Sequence, residues 1–186
     1  MHLSAVIDYI EYLEGKRDLR NGGLSKAGHN YAVNGFAWER VLQNVIERDP
    51  TELWEWMFGR ALAEPNNPKV IRPGEQCVDG IYLTPDGYHI DDMVLEEWKW
   101  TTKSSKGGIE GNKKFRRWTA FQIPAYLYAL NLDICRLRVH HARGDYTTGE
   151  PEWWEHILSY TRQEIVETWD CICMHADLMY KGGLVH

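Results

Sequence analysis

The stretch that decides the fold is Val94-Leu95-Glu96-Glu97-Trp98-Lys99-Trp100. Read as a strand, it places Glu97 and Lys99 on one face and both tryptophans on the other, because side chains alternate along a strand. An acid and an amine on one face can hold a divalent cation beside an ammonium, and phosphodiester hydrolysis requires both groups. The same pair can also be a weak ion pair on a half-exposed strand. Other segments of the chain must therefore decide between the two interpretations.

Composition limits the classes of protein to consider. A chain of 186 residues with 44% hydrophobic and 26% charged residues is typical of one globular domain, spanning 1–186. Without a long apolar run or a signal-peptide pattern at Met1-His2-Leu3-Ser4, the expected location is cytoplasmic and no membrane partner is expected. The net charge of −6 argues against indiscriminate polyanion binding but allows a local basic patch.

Cysteine spacing does not indicate a disulfide framework or a zinc site. Cys171-x-Cys173 is too tight for the usual zinc knuckle, and no His or Cys pair of matching spacing accompanies it. We therefore expect buried free thiols.

Periodicity predicts an α/β protein. Helical spacing of apolar residues predicts helices over 3–14, 35–48, 52–63, 115–130 and 161–181. Thr161-Arg162-Gln163-Glu164 is a capping box for the last of these helices. Pro124 falls inside the fourth, where it either kinks the helix or marks a start just before it.

A period of two predicts strands over 77–83, 89–100 and 133–142, with a further candidate at 154–160. Pro85-Asp86-Gly87 is typical of a turn between the first two strands. The order of elements favours one α/β domain, a small mixed sheet flanked by helices.

Asp79 is the first acidic candidate to join Glu97. A register that pairs Ile81 with Leu95 places Asp79 opposite Glu97 on the neighbouring strand. Two facing carboxylates repel unless a cation lies between them, and a small number of hard oxygen ligands suits Mg²⁺ or Mn²⁺. Asp86 also follows a proline, but its turn chemistry places it at the far end of the hairpin. The sequence therefore favours Asp79 over Asp86.

Two helical positions have both a structural and a functional interpretation. Gln122 and Tyr126 lie on one face of the helix 115–130, and a glutamine in an apolar stripe needs a partner. It can bond the backbone of the core or reach the active-site edge of the sheet. Glu39, beside the stripe of its helix, suits a solvated face when taken alone.

A basic segment follows the Glu-x-Lys strand. It contains one acid, Glu110, and six cations: Lys103, Lys106, Lys113, Lys114, Arg116 and Arg117. With its glycines and serines it predicts a flexible loop that clamps a phosphate backbone, although a merely solvated loop has the same composition.

Asp79, Glu97-Trp98-Lys99 and Gln122-x-x-x-Tyr126 together resemble the PD-(D/E)XK nuclease superfamily, in particular its RecB-like and lambda-exonuclease-like branch. Gly35-Phe36-Ala37-Trp38-Glu39 is similar to the first motif of that branch, a helix in which a Gly precedes a metal-binding His or Glu by four residues. Val78 stands where the motif has Pro. Some RecB-like nucleases carry an iron–sulfur cluster on three cysteines near the C-terminus, a pattern absent here, so we expect no cluster.

The resemblance implies a restriction-endonuclease-like core and a role for each matched position. It implies one or two Mg²⁺ or Mn²⁺ ions on Glu39, Asp79, Glu97 and the Trp98 carbonyl. It also implies that Lys99 orients water or stabilises the transition state, that Gln122 positions Lys99 or the nucleophile, and that Tyr126 contacts phosphate.

The function implied is a metal-dependent deoxyribonuclease, an exonuclease of phage or mobile-element DNA processing and recombination. DNA is its expected partner; a homo-oligomer and a recombination partner protein are compatible with the resemblance, and a phage-encoded chain would act in the host cytoplasm. A structure-specific endonuclease and a catalytically inactive nucleic-acid-binding module on the same fold are the alternatives. An unrelated α/β interaction protein, with its nine tryptophans at a partner interface, is the third class.

Overall fold

The computed structural model describes residues 1–16, 37, 70–106, 113–147 and 149–184, and the fold is given for these ranges. The predicted helices 35–48 and 52–63 lie outside them, apart from residue 37. Among the described residues, no helix has the length and apolar character needed to cross a membrane.

A five-stranded mixed sheet lies at the centre of the described fold. The strands within the described ranges are β1 (Val70–Ile71), β2 (Gln76–Val78), β3 (Ile81–Leu83), β4 (Gly87–His89), β5 (Val94–Thr101), β6 (Ile134–His141) and β7 (Glu152–Ser159). The order in the sheet is β1-β4-β5-β6-β7, in which β5 and β6 are parallel and the other neighbours are antiparallel. Strands β2 and β3 form a separate antiparallel hairpin.

Helices pack on this sheet, which confirms the predicted class of a small mixed sheet flanked by helices. They are α1 (Leu3–Leu13), α2 (Lys113–Arg117), a π-helical turn (Trp118–Gln122), α3 (Ile123–Leu130) and α4 (Arg162–Lys181). The segment from α2 to α3 is the crossover that two parallel strands require. It lies between β5 and β6 in the chain and returns over the sheet.

The core forms on the sheet face that carries Glu97. Leu95 and Leu137 on the strands pack with Leu127 of α3 and Ile165 of α4, and all four are fully buried. Glu97 pairs with Leu137 across β5 and β6, so these two side chains share a face. The alternation of β5 therefore places an acid in the apolar layer beneath α3.

The predicted single strand over 77–83 is wrong, because a tight turn interrupts it. Asp79 and Gly80 have φ angles of +51° and +78° and form a two-residue loop between β2 and β3. Positive φ at both central residues is the geometry of a type I′ hairpin turn, for which Asp-Gly is a preferred sequence. Strand β3 therefore pairs with β2, and the expected pairing of Ile81 with Leu95 does not form.

The predicted strand over 89–100 is divided in two. Residues 90–93 form the turn between β4 and β5, and Met93 within it has a φ of +53°. Gly87 consequently pairs with Glu96. The segment expected as a turn, Pro85-Asp86-Gly87, thus leads into β4, which lies beside the central strand β5.

The capping box of α4 is confirmed. The Thr161 hydroxyl oxygen accepts a hydrogen bond from the Glu164 N–H, and the Glu164 carboxylate accepts one from the Thr161 N–H. We expect Thr161→Ala to lower the free energy of unfolding by about 1 kcal/mol, because it leaves an N-terminal N–H of α4 without its acceptor. Urea denaturation measures this change, and a variant as stable as the parent chain would contradict it.

Candidate active site

The β4–β5 pairing brings Asp86, rather than Asp79, to the Glu-x-Lys motif. Asp86 immediately precedes β4, whose first residue pairs with the neighbour of Glu97. Its Oδ2 atom accepts a hydrogen bond of 2.8 Å from the Trp98 N–H and lies 3.9 Å from the Lys99 Nζ. A turn residue in the sequence is therefore a site residue in the structure.

Asp79 lies against α4 instead. Its Oδ2 accepts a hydrogen bond of 2.8 Å from the Trp169 Nε1, and burial, followed by the charge of Asp79, raises the pKa of Cys173 on the same helix. The predicted position of Asp79 opposite Glu97 is wrong, because the type I′ turn takes the chain away from β5. Its contact with Trp169 is a structural one.

Glu97 is completely buried and only partly satisfied. Its Oε1 atom contacts the Lys99 ammonium and accepts a hydrogen bond of 3.1 Å from the Gln122 Nε2. Its Oε2 atom has no hydrogen-bond partner among the residues that the structure describes. Burial, followed by the negative charge of Asp86, raises the pKa of Glu97 to about 8. A cation beside the free oxygen would relieve both effects.

Lys99 is held by charge on two sides. Its ammonium contacts Glu97 and Asp86 and lies 5.7 Å from the centre of the Trp118 ring. Burial acts to lower the pKa of Lys99, but the charges of the two carboxylates outweigh burial and raise it. The side chain is only 15% exposed, so Lys99 presents a fixed positive charge at a nearly closed site.

Gln122 and Tyr126 complete the cluster from the helical side. The Gln122 Nε2 also donates to the Tyr126 hydroxyl, at 2.9 Å, in addition to its bond to Glu97. Burial raises the pKa of Tyr126, so the hydroxyl keeps its proton. Of the two interpretations of Gln122, the structure matches the one in which its side chain reaches the candidate active site, where it donates to Glu97. The structure thus brings Glu97, Lys99, Gln122 and Tyr126 together, while their catalytic roles stay predictions.

The donor atoms at this site suit a hard divalent cation. Asp86 and Glu97 supply carboxylate oxygens, and the Trp98 carbonyl lies on the Asp86 side of β5, since the N–H and C=O of one strand residue point the same way. Such all-oxygen sets suit Mg²⁺ and Mn²⁺. Within the described ranges, no three His, Cys, Asp or Glu side chains gather into a metal-binding group. Glu39, the other predicted ligand, lies outside these ranges.

The six predicted DNA-binding cations have different surroundings. Lys106 lies 3.3 Å from Asp145, and its side chain is 67% exposed. Arg116 forms two hydrogen bonds of 3.2 Å to Glu14, and Arg117 binds Asp8 and Glu11 of α1 at 2.6 and 2.7 Å. Both arginines therefore connect α2 to α1 and the residue that follows it through ion pairs, and so stabilise the packing of these two helices. DNA contact stays a prediction for Lys103, Lys106, Arg116 and Arg117, and also for Lys113 and Lys114, whose side chains lie outside the description.

A second buried acid, Glu96, lies on the opposite face of β5 and was not predicted. It accepts from Arg136 at 2.8 Å and from Arg138 at 3.0 Å, and its Oε1 lies 2.8 Å from the His89 Nε2. Burial acts to raise the pKa of Glu96, but His89 and the two arginines outweigh it and lower the pKa. Both carboxylate oxygens of Glu96 thus have hydrogen-bonding or ion-pair partners, whereas the Oε2 of Glu97 has none among the described residues. The alternating cations Arg136 and Arg138 on the predicted strand 133–142 were the available signal.

Glu97 makes the stability of the fold depend on pH. Its pKa is about 8 in the folded chain and 4.5 ordinarily, so between these values the folded state holds a proton that the unfolded state has released. Folding stability from this group is therefore fully present below its ordinary pKa and is lost as the pH rises toward 8. In EDTA, we expect the free energy of unfolding to fall over this range, and Mn²⁺ to restore more of it at pH 8 than at pH 5.

Urea denaturation across the pH range measures this effect. Glu97→Gln is the control, because it keeps the shape of the side chain and removes its titration. An unchanged pH dependence in that variant would contradict the assignment to Glu97.

Comparison with known proteins supports the fold. Neither a protein-family model nor a curated protein matches the chain. Among solved structures, one described as SSO0001 superposes with a TM-score of 0.52 at 12% identity, covering 94% of this chain and 75% of that one. LHK-Exo, described as a complex with dAMP, superposes with a TM-score of 0.50 at 13% identity, covering 98% and 88%. At these identities the likeness concerns the fold alone, and the chain shares the fold of both structures.

Proposed function

We propose that this chain is a divalent-metal-dependent nuclease that hydrolyses DNA phosphodiester bonds. The observation that carries the proposal is the buried Glu97, whose free oxygen lies in a cluster with a second carboxylate, Asp86, and a fixed ammonium, Lys99. A purely structural ion pair would satisfy its acid, as Glu96 is satisfied on the other face of the same strand. The likeness of the fold to LHK-Exo points in the same direction.

Each residue of the cluster has a use in this reaction. Asp86, Glu97 and the Trp98 carbonyl would hold Mg²⁺ or Mn²⁺, and a bound ion supplies activation of water and neutralisation of phosphate charge. Lys99 stabilises the negative charge that develops on the phosphate. Gln122 fixes one oxygen of Glu97 and leaves the other to the cation.

An exonuclease of phage or mobile-element DNA processing and recombination is the finer form of the proposal. Its support is the likeness of the fold to the structure named LHK-Exo. A cytoplasmic location, a homo-oligomer and a recombination partner belong to the same proposal. A structure-specific endonuclease is the alternative, because the same cluster of Asp86, Glu97 and Lys99 would hydrolyse a phosphodiester bond at an end or within a strand. An inactive binding module is disfavoured because the Asp, Glu and Lys set is intact.

Cleavage of end-labelled linear and closed-circular DNA in Mg²⁺, Mn²⁺ or EDTA tests the proposal. We expect metal-dependent loss of linear DNA alone. Cutting of circles as well would identify an endonuclease. DNA binding without cleavage in either metal would overturn the catalytic proposal in favour of the binding module.

A further inference from the structure

The π-helical turn Trp118–Gln122 has a carbonyl that its own helix cannot satisfy. The Ile123 N–H donates to the Trp118 carbonyl, five residues back, as in a π-helix. The Thr119 carbonyl would next receive the N–H of residue 124, but that residue is Pro124, which has none. Neither main-chain donor within reach, at four or five residues on, is therefore free for Thr119.

Tyr160 supplies the missing donor. Its hydroxyl donates a hydrogen bond of 2.8 Å to the Thr119 carbonyl across 41 positions of sequence. Tyr160 follows β7 and is anchored by its own N–H, which donates to the Asp133 carbonyl at 3.0 Å. Burial raises the pKa of Tyr160, so the donor keeps its proton at working pH. A second hydrogen bond at the same residue runs from the Thr119 hydroxyl, which donates to the Phe115 carbonyl at 2.8 Å.

This turn carries two of the side chains that contact the candidate active site. Its first residue, Trp118, places its ring 5.7 Å from the Lys99 Nζ. Its last residue, Gln122, donates to Glu97. A change in the winding of the turn would therefore move both side chains relative to the acid and the ammonium.

We propose that Tyr160 is a positioning residue for the active site: its hydroxyl replaces the N–H that Pro124 lacks, holds the π-helical turn, and so sets Gln122 and Trp118 against Glu97 and Lys99. Tyr160 acts through the turn and does not touch the reacting atoms. Its effect on cleavage rests on the proposed function, whereas its effect on the turn does not.

Hydrogen exchange of the intact chain tests the first step without reference to activity. In Tyr160→Phe we expect the amides over 118–125 to exchange about tenfold faster, the loss expected for one hydrogen bond. Thr161→Ala is the matched control, because it removes a neighbouring hydrogen bond of similar worth that does not contact the turn. Equal exchange of the turn in Tyr160→Phe and the parent chain would overturn the proposal.

Pro124→Ala provides a second test, because residue 124 then carries an N–H. In that background we expect Tyr160→Phe to change exchange over 118–125 much less than it does in the parent chain, a coupling that a double-mutant cycle measures. The same change in both backgrounds would mean that Tyr160 acts through general packing, and would overturn the proposal.

Steady-state cleavage tests the second part of the proposal, that the turn held by Tyr160 positions Gln122 and Trp118 for catalysis. We expect Tyr160→Phe to lower kcat about tenfold with an unchanged KM for DNA, and Thr161→Ala to change neither. Faster exchange of the turn with an unchanged kcat would overturn the positioning role. If the parent chain itself cleaves no DNA, the proposed function fails instead, and the exchange experiments still decide whether Tyr160 holds the turn.

Discussion

Asp86→Asn is expected to reduce metal-dependent cleavage on the order of 10³-fold, because it removes one of the two carboxylates from the cation and so several kcal/mol of charge stabilisation. The substitution keeps the size of the side chain and an oxygen that can accept from the Trp98 N–H. The fold should therefore survive, and the loss should appear in the single-turnover rate.

Asp79→Asn is the matched control for this prediction. Asparagine tolerates the positive φ of the turn and can accept from the Trp169 Nε1. We expect its rate to stay within about twofold of the parent chain, as for substitutions away from a critical feature. An inactive Asp79→Asn beside an active Asp86→Asn would contradict the site described above.

Lys99→Met is expected to lower the single-turnover rate on the order of 10²–10³-fold, the usual effect of removing one group that stabilises transition-state charge. Methionine keeps most of the stem of the side chain while removing the ammonium and its contact with the Trp118 ring. Glu97 loses its positive neighbour, so its pKa should rise further and the residual activity should move to higher pH.

Lys106→Met is the control for the loss of a positive charge. Lys106 is exposed and lies outside the contacts of Glu97. If the Lys106 ammonium contacts phosphate as predicted, its loss should weaken DNA binding and leave kcat unchanged. The slope of the logarithm of the binding constant against the logarithm of the salt concentration should become shallower by about one. Equal loss of kcat in the Lys99 and Lys106 variants would contradict a specific role for Lys99.

Local patterns predicted most of the described elements. The apolar spacing of α1 and α4, the Thr161 capping box and the alternation of β6 all depend on residues close in sequence. The predicted helix over 115–130 forms as α2, the π-helical turn and α3, and the second expectation for Pro124 is confirmed, because α3 begins at Ile123, just before that proline. Because proline has no N–H, the sequence predicts that one main-chain hydrogen bond of this helix is missing. It does not predict that the hydroxyl of the distant Tyr160 makes the replacement bond, because that contact depends on the fold.

Strand pairing was the part that local pattern could not settle. The chain contains two Asp-Gly pairs, Asp79-Gly80 and Asp86-Gly87, and either can turn a hairpin. The first forms the tight turn, and the second leads into the strand beside β5. The choice depends on which segment pairs with β5, and β4 does so through the four-residue turn at 90–93, which falls inside the predicted strand over 89–100. The Pro-Asp pair at 85–86 was the available signal for the correct acid.

Binding of Mn²⁺ in solution tests the central claim most directly, namely that Asp86 and Glu97 together hold the catalytic cation. Free Mn²⁺ can be followed by its electron paramagnetic resonance signal at pH 8 in the parent chain, Asp86→Asn, Glu97→Gln and Asp79→Asn. We predict binding in the parent chain and in Asp79→Asn, and loss of that site in the other two variants. Loss in Asp79→Asn with retention in Asp86→Asn would contradict the account.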